Sequence, residues 1–202
     1  MKVFIQYAIS LVCYVPTIFG RYSTVSTGQD SDFMWGVATA AYQIEGAATA
    51  DGRGESIWDE FSKLPNRTKN EENGDTADWS YYLYNVDTQL IKDLGVKYYR
   101  FSISWSRILP NGTGQINQAG IDHYNSVINA LVAAGISPIV TLYHWDLPLS
   151  LDKHHGGWLN PDMETFFVEY ASICFAEFGD RVKYWITVNE VGYDMGMSLT
   201  CQ

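Results

Sequence analysis

The sequence predicts an α/β fold built on a parallel β-sheet, and three observations carry that reading. Short, strand-like apolar runs alternate with longer segments whose apolar residues recur every three or four positions. Returning from one strand to a parallel neighbour requires a crossover, and a helix is its usual form. The chain of 202 residues is 47% hydrophobic and 18% charged, with no low-complexity tract or linker, which is the composition of a packed domain. On pattern alone, an open doubly wound sheet and part of a closed barrel are equally compatible.

The elements follow in order. "FMWGVATAAYQ", starting at Phe33, is a short apolar run, and the polar, glycine-rich "GAATADGRGES" after it is a loop. Between Asp75 and Gly95 the apolar residues Trp79, Tyr82, Leu83, Val86, Leu90, Ile91 and Leu94 predict an amphipathic helix, capped by Asp75 or Thr76 and stopped by Gly95. "VKYYRFSISW" is a strand ending at Trp105. A second helix runs from Asn117 to Ala134, with Ile121, Tyr124, Ile128, Leu131 and Val132 on one face and Gly135 as its stop. "ISPIVTLYHW" is continuous and β-branched, as buried parallel strands are. Asn160 caps a third helix with Pro161 at its first position; Phe166, Phe167, Tyr170 and Phe178 turn inward and Gly179 ends it. "VKYWITV" closes the series.

Charge and processing signals narrow the function. Thirteen basic against 23 acidic side chains give a net charge of −10, and no basic run could neutralise a phosphate backbone, which excludes nucleic acid and anionic membranes as partners. Residues 1–20 place Lys2 before an apolar run that ends at Gly20, the order of a secretory signal peptide; a buried first strand or a retained anchor is the competing reading. Residues 21–32 are then a short lead-in, and the mature protein is secreted, with no membrane contact after cleavage. Asn66-Arg67-Thr68 and Asn111-Gly112-Thr113 are glycosylation sequons in turn-forming surroundings. Cys174 sits in a helical pattern as a buried free thiol, Cys201 lies near the end, and no metal-ligand spacing or cofactor motif is present.

In parallel α/β folds, functional groups gather beyond the carboxyl ends of the strands. The first strand region leads to Gln43 and Glu45, and the second runs through Arg100 to Ser104 and Trp105. The third delivers Tyr143, His144, Trp145 and Asp146; the fourth delivers Asn189 and Glu190. Amide, imidazole, indole and carboxyl groups with no phosphate loop suit an uncharged polyhydroxylated ligand. "FMWGVATAAYQIEGA", "GVKYYRFSISWSRILPNG", "TLYHWDLP" and "FGDRVKYWITVNE" then resemble, in order from about Phe33 to Glu190, the successive signatures of glycoside hydrolase family 1, the β-glucosidase and lactase-like retaining enzymes.

The resemblance implies the first four βα units of a (β/α)8 TIM barrel over 33–190, incomplete, from an enzyme that hydrolyses terminal β-D-glycosides, with a β-glucoside or oligosaccharide as substrate and no cofactor. It implies that Gln43 and His144 hold the glycone hydroxyls, that Asn189 contacts the 2-hydroxyl, that Trp145 walls the pocket, and that Arg100 keeps the nucleophile ionised. Glu190 matches the general acid/base, while Glu45 and Asp146 read as structural. Retaining hydrolysis uses two carboxyl groups about 5–5.5 Å apart, one attacking and one moving the proton.

The second carboxyl is not found in this chain. The family's nucleophile is the glutamate of a Glu-Asn-Gly motif ending the seventh strand; Glu72-Asn73-Gly74 repeats the tripeptide, but in a polar loop with no apolar strand before it. Val191 stands where the family has proline, and "VGYDMGMSLTCQ" (191–202) departs from the expected pattern. The expectation is a truncated form, lacking the nucleophile and inactive alone; the alternative is a catalytically dead sugar-binding or receptor-type member. Four strands of a closed barrel would leave open edges and an uncovered inner face, so the isolated chain is expected to be poorly stable or prone to aggregate.

Overall fold

The structure, a computed structural model, describes residues 33–191; the signal-peptide reading, the lead-in and the tail beyond Val191 fall outside the described residues. Every described strand and helix belongs to the compact unit that begins at Trp35. Four strands, β1 (Gly36–Ala38), β2 (Tyr98–Ser102), β3 (Ser137–Tyr143) and β4 (Tyr184–Val188), form one parallel sheet in the order β1-β2-β3-β4. That order resolves the ambiguity left by the pattern. A doubly wound sheet reverses its strand order at a switch point, whereas a barrel adds each strand beside the last.

The helices are α1 (Ala41–Ile44), α2 (Ile57–Lys63), α3 (Ser80–Asp93), α4 (Trp105–Ile108), α5 (Gln118–Ala133), α6 (Leu149–His155) and α7 (Met163–Phe178). Strand alternation divides β2 between two faces. Tyr99 and Phe101 join Ile91, Ile121, Ile128 and Leu131 in the core, and Arg100 and Ser102 take the other face. Trp105, fully buried, stacks on Tyr170 at 4.7 Å between ring centroids and donates its indole N–H to the Gly112 carbonyl, which ties the β2 exit to α7.

A buried ion pair locks the β1 exit to the next unit. Arg107 Nε donates to Glu45 at 2.7 Å, the Tyr124 hydroxyl donates to the other Glu45 oxygen at 2.6 Å, and the guanidinium lies 4.2 Å from the Tyr81 ring centroid. Burial pushes the Glu45 carboxyl up, but the Arg107 charge beside it prevails and holds it below the usual range. The structural reading of Glu45 is therefore specific: it is the counter-ion of Arg107. Gly120 completes this joint, because a Cβ there would stand 2.1 Å from the Arg107 carbonyl oxygen.

Several expected boundaries shift. Helix α3 begins at Ser80, not Asp75, because Trp79 is left-handed (φ 59°) and the N–H groups of Asp78 and Tyr81 are taken by the carbonyls of Ile44 and Glu45. Its expected inward face is mostly outward: Tyr81, Thr88 and Ile91 are buried, while Tyr82, Leu83, Val86, Leu90 and Leu94 are exposed. Val132 on α5 is likewise exposed. Trp105 opens α4 instead of ending β2, and Asn160 caps a turn before α7, accepting from the Asp162 N–H. Helix α2 escaped the sequence reading, although its Ser-x-x-Asp start was legible: Asp59 accepts from the Ser56 N–H and hydroxyl and pairs with Arg53 at 2.8 Å.

Candidate active site

The ends of the four strands bring the candidate residues to one side of the sheet. At the first exit, the Thr39 N–H donates to the Arg100 carbonyl and the Ala41 N–H to the Ser102 hydroxyl. These bonds seat α1, which carries Gln43 exposed on its surface. Among the described residues no hydrogen bond joins the Gln43 side chain to the other candidates.

Arg100, Thr141 and Asn189 form the connected part of the site. Arg100 Nε donates to Thr141 Oγ1 at 2.9 Å, and Nη2 donates to Asn189 Oδ1 at 2.6 Å. One side chain from β2 thus spans β3 and reaches the end of β4. Both partners are neutral, and no carboxylate pairs with this half-buried guanidinium among the described residues. Charge-assisted bonds to neutral acceptors hold the group in place and leave its charge uncompensated.

Asn189 is buried and continues the sheet by one rung, its N–H donating to the Tyr143 carbonyl at 3.0 Å. Its own carbonyl accepts the indole N–H of Trp145 at 2.9 Å. The amide nitrogen carries no hydrogen bond among the described residues, while the amide oxygen accepts from Arg100. Glu190 follows with φ 49° and an exposed side chain.

The β3 exit supplies the remaining groups. His144 is partly buried and its Nδ1 lacks a hydrogen-bond partner among the described residues. Burial, helped by the Arg100 charge, pushes its pKa down to about 4, so the imidazole is neutral near pH 7 and offers one donor and one acceptor. That is a better match to a sugar hydroxyl than to an anion. Trp145 is left-handed at φ 71°, a conformation non-glycine residues adopt where the surroundings enforce it. Asp146 is fully buried, and burial pushes its pKa up to about 8 against the pull of the Arg53 charge and of the backbone N–H groups of Asp146 and His144, so the carboxyl is neutral near pH 7. Glu72 lies exposed after a short turn of 3₁₀ helix, in agreement with its reading as a loop residue.

This arrangement has a family. The sequence profile of glycosyl hydrolase family 1 matches residues 27–201. The chain belongs to glycosyl hydrolase family 1. The matched stretch runs past Glu190 through most of the segment that the motif reading set apart. Relatives in family 1 include beta-glucosidase 40 of Arabidopsis thaliana, 54% identical over 171 residues, which are 82% of this chain and 34% of that protein. Coniferin beta-glucosidase of Pinus contorta is 53% identical over 173 residues, covering 83% and 34%. Among family 1 structures, beta-glucosidase from Thermotoga maritima in complex with castanospermine superposes with a TM-score of 0.78 at 54% identity, over 79% of this chain and 36% of that one. A rice beta-glucosidase in a covalent complex with Glc gives a TM-score of 0.77, covering 78% and 33%. The chain spans about a third of the length of the relatives it matches. Its four-stranded sheet is accordingly part of a TIM barrel.

Sequence reasoning missed Arg107, whose charge inside an apolar strand exit was the available signal, and the bond from Trp145 to Asn189, which no sequence pattern announces.

Proposed function

We propose that this stretch builds the acid/base half of a retaining β-glucosidase site acting on terminal β-D-glycosides. Glu190 protonates the leaving oxygen and then activates water, Asn189 donates to the 2-hydroxyl, and His144 with Gln43 holds other glycone hydroxyls. Trp145 covers the sugar face. Arg100 supports an ionised nucleophile that enters from outside the described residues. The observation that carries this reading is the bond from Arg100 to Asn189, which leaves a cation beside the acid/base with no carboxylate of its own. A charge so placed stabilises a neighbouring carboxylate and lets two carboxyls differ in protonation. The covalent glucose in the rice relative's structure accords with that chemistry.

The test is a chimera in which residues 33–190 replace the matching stretch of the Thermotoga maritima enzyme. It is expected to hydrolyse 4-nitrophenyl β-D-glucoside, and Glu190→Gln in it to lower kcat/KM by about 10²–10⁴-fold. Azide, standing in for activated water, should restore turnover of that substrate. A folded chimera indifferent to Glu190→Gln would sink the assignment. The 202-residue chain alone is expected to give no turnover. We further propose export through the signal-like residues 1–20 and glycosylation at Asn66 and Asn111, both of which lie exposed.

A further inference from the structure

The indole of Trp145 does more than offer a flat face. Its Nε1–H donates at 2.9 Å to the main-chain carbonyl of Asn189, 44 residues further along the chain. That carbonyl belongs to the peptide joining Asn189 to Glu190. Because a peptide unit is planar, fixing its oxygen also fixes the N–H of Glu190 and the point from which the Glu190 side chain departs. Asn189 is held at two other points, by the Tyr143 carbonyl on its N–H and by Arg100 on its side chain. Glu190 has no such hold among the described residues: it is exposed, it lies one residue beyond the last sheet bond, and its φ of 49° is in the region non-glycine residues seldom occupy. Trp145 is itself left-handed, so both ends of this bond sit on backbone that departs from extended geometry.

We infer that Trp145 is a positioning residue for Glu190, acting through its indole N–H on the Asn189–Glu190 peptide and not only as a wall for the sugar. The inference rests on the reading of Glu190 as acid/base and deepens it. Proton transfer needs the carboxyl within hydrogen-bond reach of the leaving oxygen, and misplacement by about 1 Å can cost about 10²-fold in rate.

Two isosteric analogues at position 145 of the full 202-residue chain separate the N–H from the ring. 3-Benzothienylalanine keeps the bicyclic shape and replaces N–H by sulfur; 7-azatryptophan keeps the N–H. Hydrogen–deuterium exchange is read by mass spectrometry in peptides spanning 187–191. The benzothienyl analogue is expected to speed exchange there about tenfold, the loss of one backbone-directed hydrogen bond, with peptides across β2 and the first half of β3 unmoved. Azatryptophan is expected to restore the native rate. Equal exchange with both analogues would overturn the inference, since a ring that only fills space behaves alike in each. Acceleration spread over the whole sheet would overturn it as well. The readout involves no turnover, so its failure is separate from failure of the hydrolase reading, which the Glu190→Gln assay decides.

Discussion

Arg107 and Glu45 meet at 2.7 Å in the protein interior, 62 residues apart in sequence, with side-chain exposures of 2% and 10%. The pair joins the exit of β1 to α4, and Nη1 and Nη2 donate to the carbonyls of Ala47 and Gly46. Removing either partner strands a charge that the surroundings cannot solvate. Glu45→Ala or Arg107→Ala is therefore expected to destabilise the fold by about 3–5 kcal/mol, read as a lower midpoint in urea. A loss under about 1 kcal/mol would mean that water reaches the pair.

How much of this was readable beforehand differs from residue to residue. The short apolar and aromatic runs "YYRFS", "SPIVTLY" and "YWITV" identified three strands, and only "SPIVTLY" is both rich in β-branched residues and buried along most of its length. The location of Asn189 and Glu190 at a strand exit was legible from the last of these runs. Periodicity failed on α3. It reports which residues share a helix face, not what that face meets, so Val86 and Leu90 were assigned to a core that Tyr81 and Ile91 occupy. The bond from Arg100 to Asn189 spans 89 residues and depends on three-strand register, which no local pattern encodes.

The outward stripe on α3 has a measurable consequence. Tyr82, Leu83, Val86, Leu90 and Leu94 are 43% to 58% exposed and recur at helical spacing, forming a continuous apolar face. The 202-residue chain is expected to self-associate, with sedimentation coefficients that rise with concentration. Paired substitution Val86→Lys and Leu90→Glu should suppress that rise while changing unfolding free energy by no more than about 0.5 kcal/mol, as surface changes usually do. Association unchanged in the double variant would move the sticky surface elsewhere.

The two sequons differ in setting but share exposure. Asn66 sits left-handed at φ 61° in the turn after α2; Asn111 lies beside Gly112, with the Thr113 hydroxyl donating to Glu169 on α7. Expressed through a eukaryotic secretory pathway, the protein should migrate faster on gels after enzymatic removal of N-glycans. Asn66→Gln and Asn111→Gln should each remove one step of that shift. A product with no shift would count against both export and modification.

Asp146 sets the pH dependence of stability. Both its oxygens are buried, and burial raises its pKa to about 8 against the partial pull of Arg53 and of the backbone N–H groups of Asp146 and His144. In the unfolded chain the carboxyl ionises near its ordinary value of 3.8. Between those two values the folded protein holds a proton that the unfolded chain has released, so stability falls as pH rises and levels off above about 8. His123 and His144, both lowered to about 4 by burial, act in the opposite sense, and their contribution is complete once pH exceeds the ordinary 6.5. From pH 7 to 8.5 Asp146 therefore dominates, the buried Cys174 thiol, raised from its ordinary 9.0, adding in the same sense only at the upper end. The native chain should lose about 1–2 kcal/mol of unfolding free energy across that interval, and Asp146→Asn, which keeps the shape without a titrating proton, should flatten the slope. An identical slope in both proteins would show that Asp146 is solvated, with its oxygens bonded to water at the β3 exit.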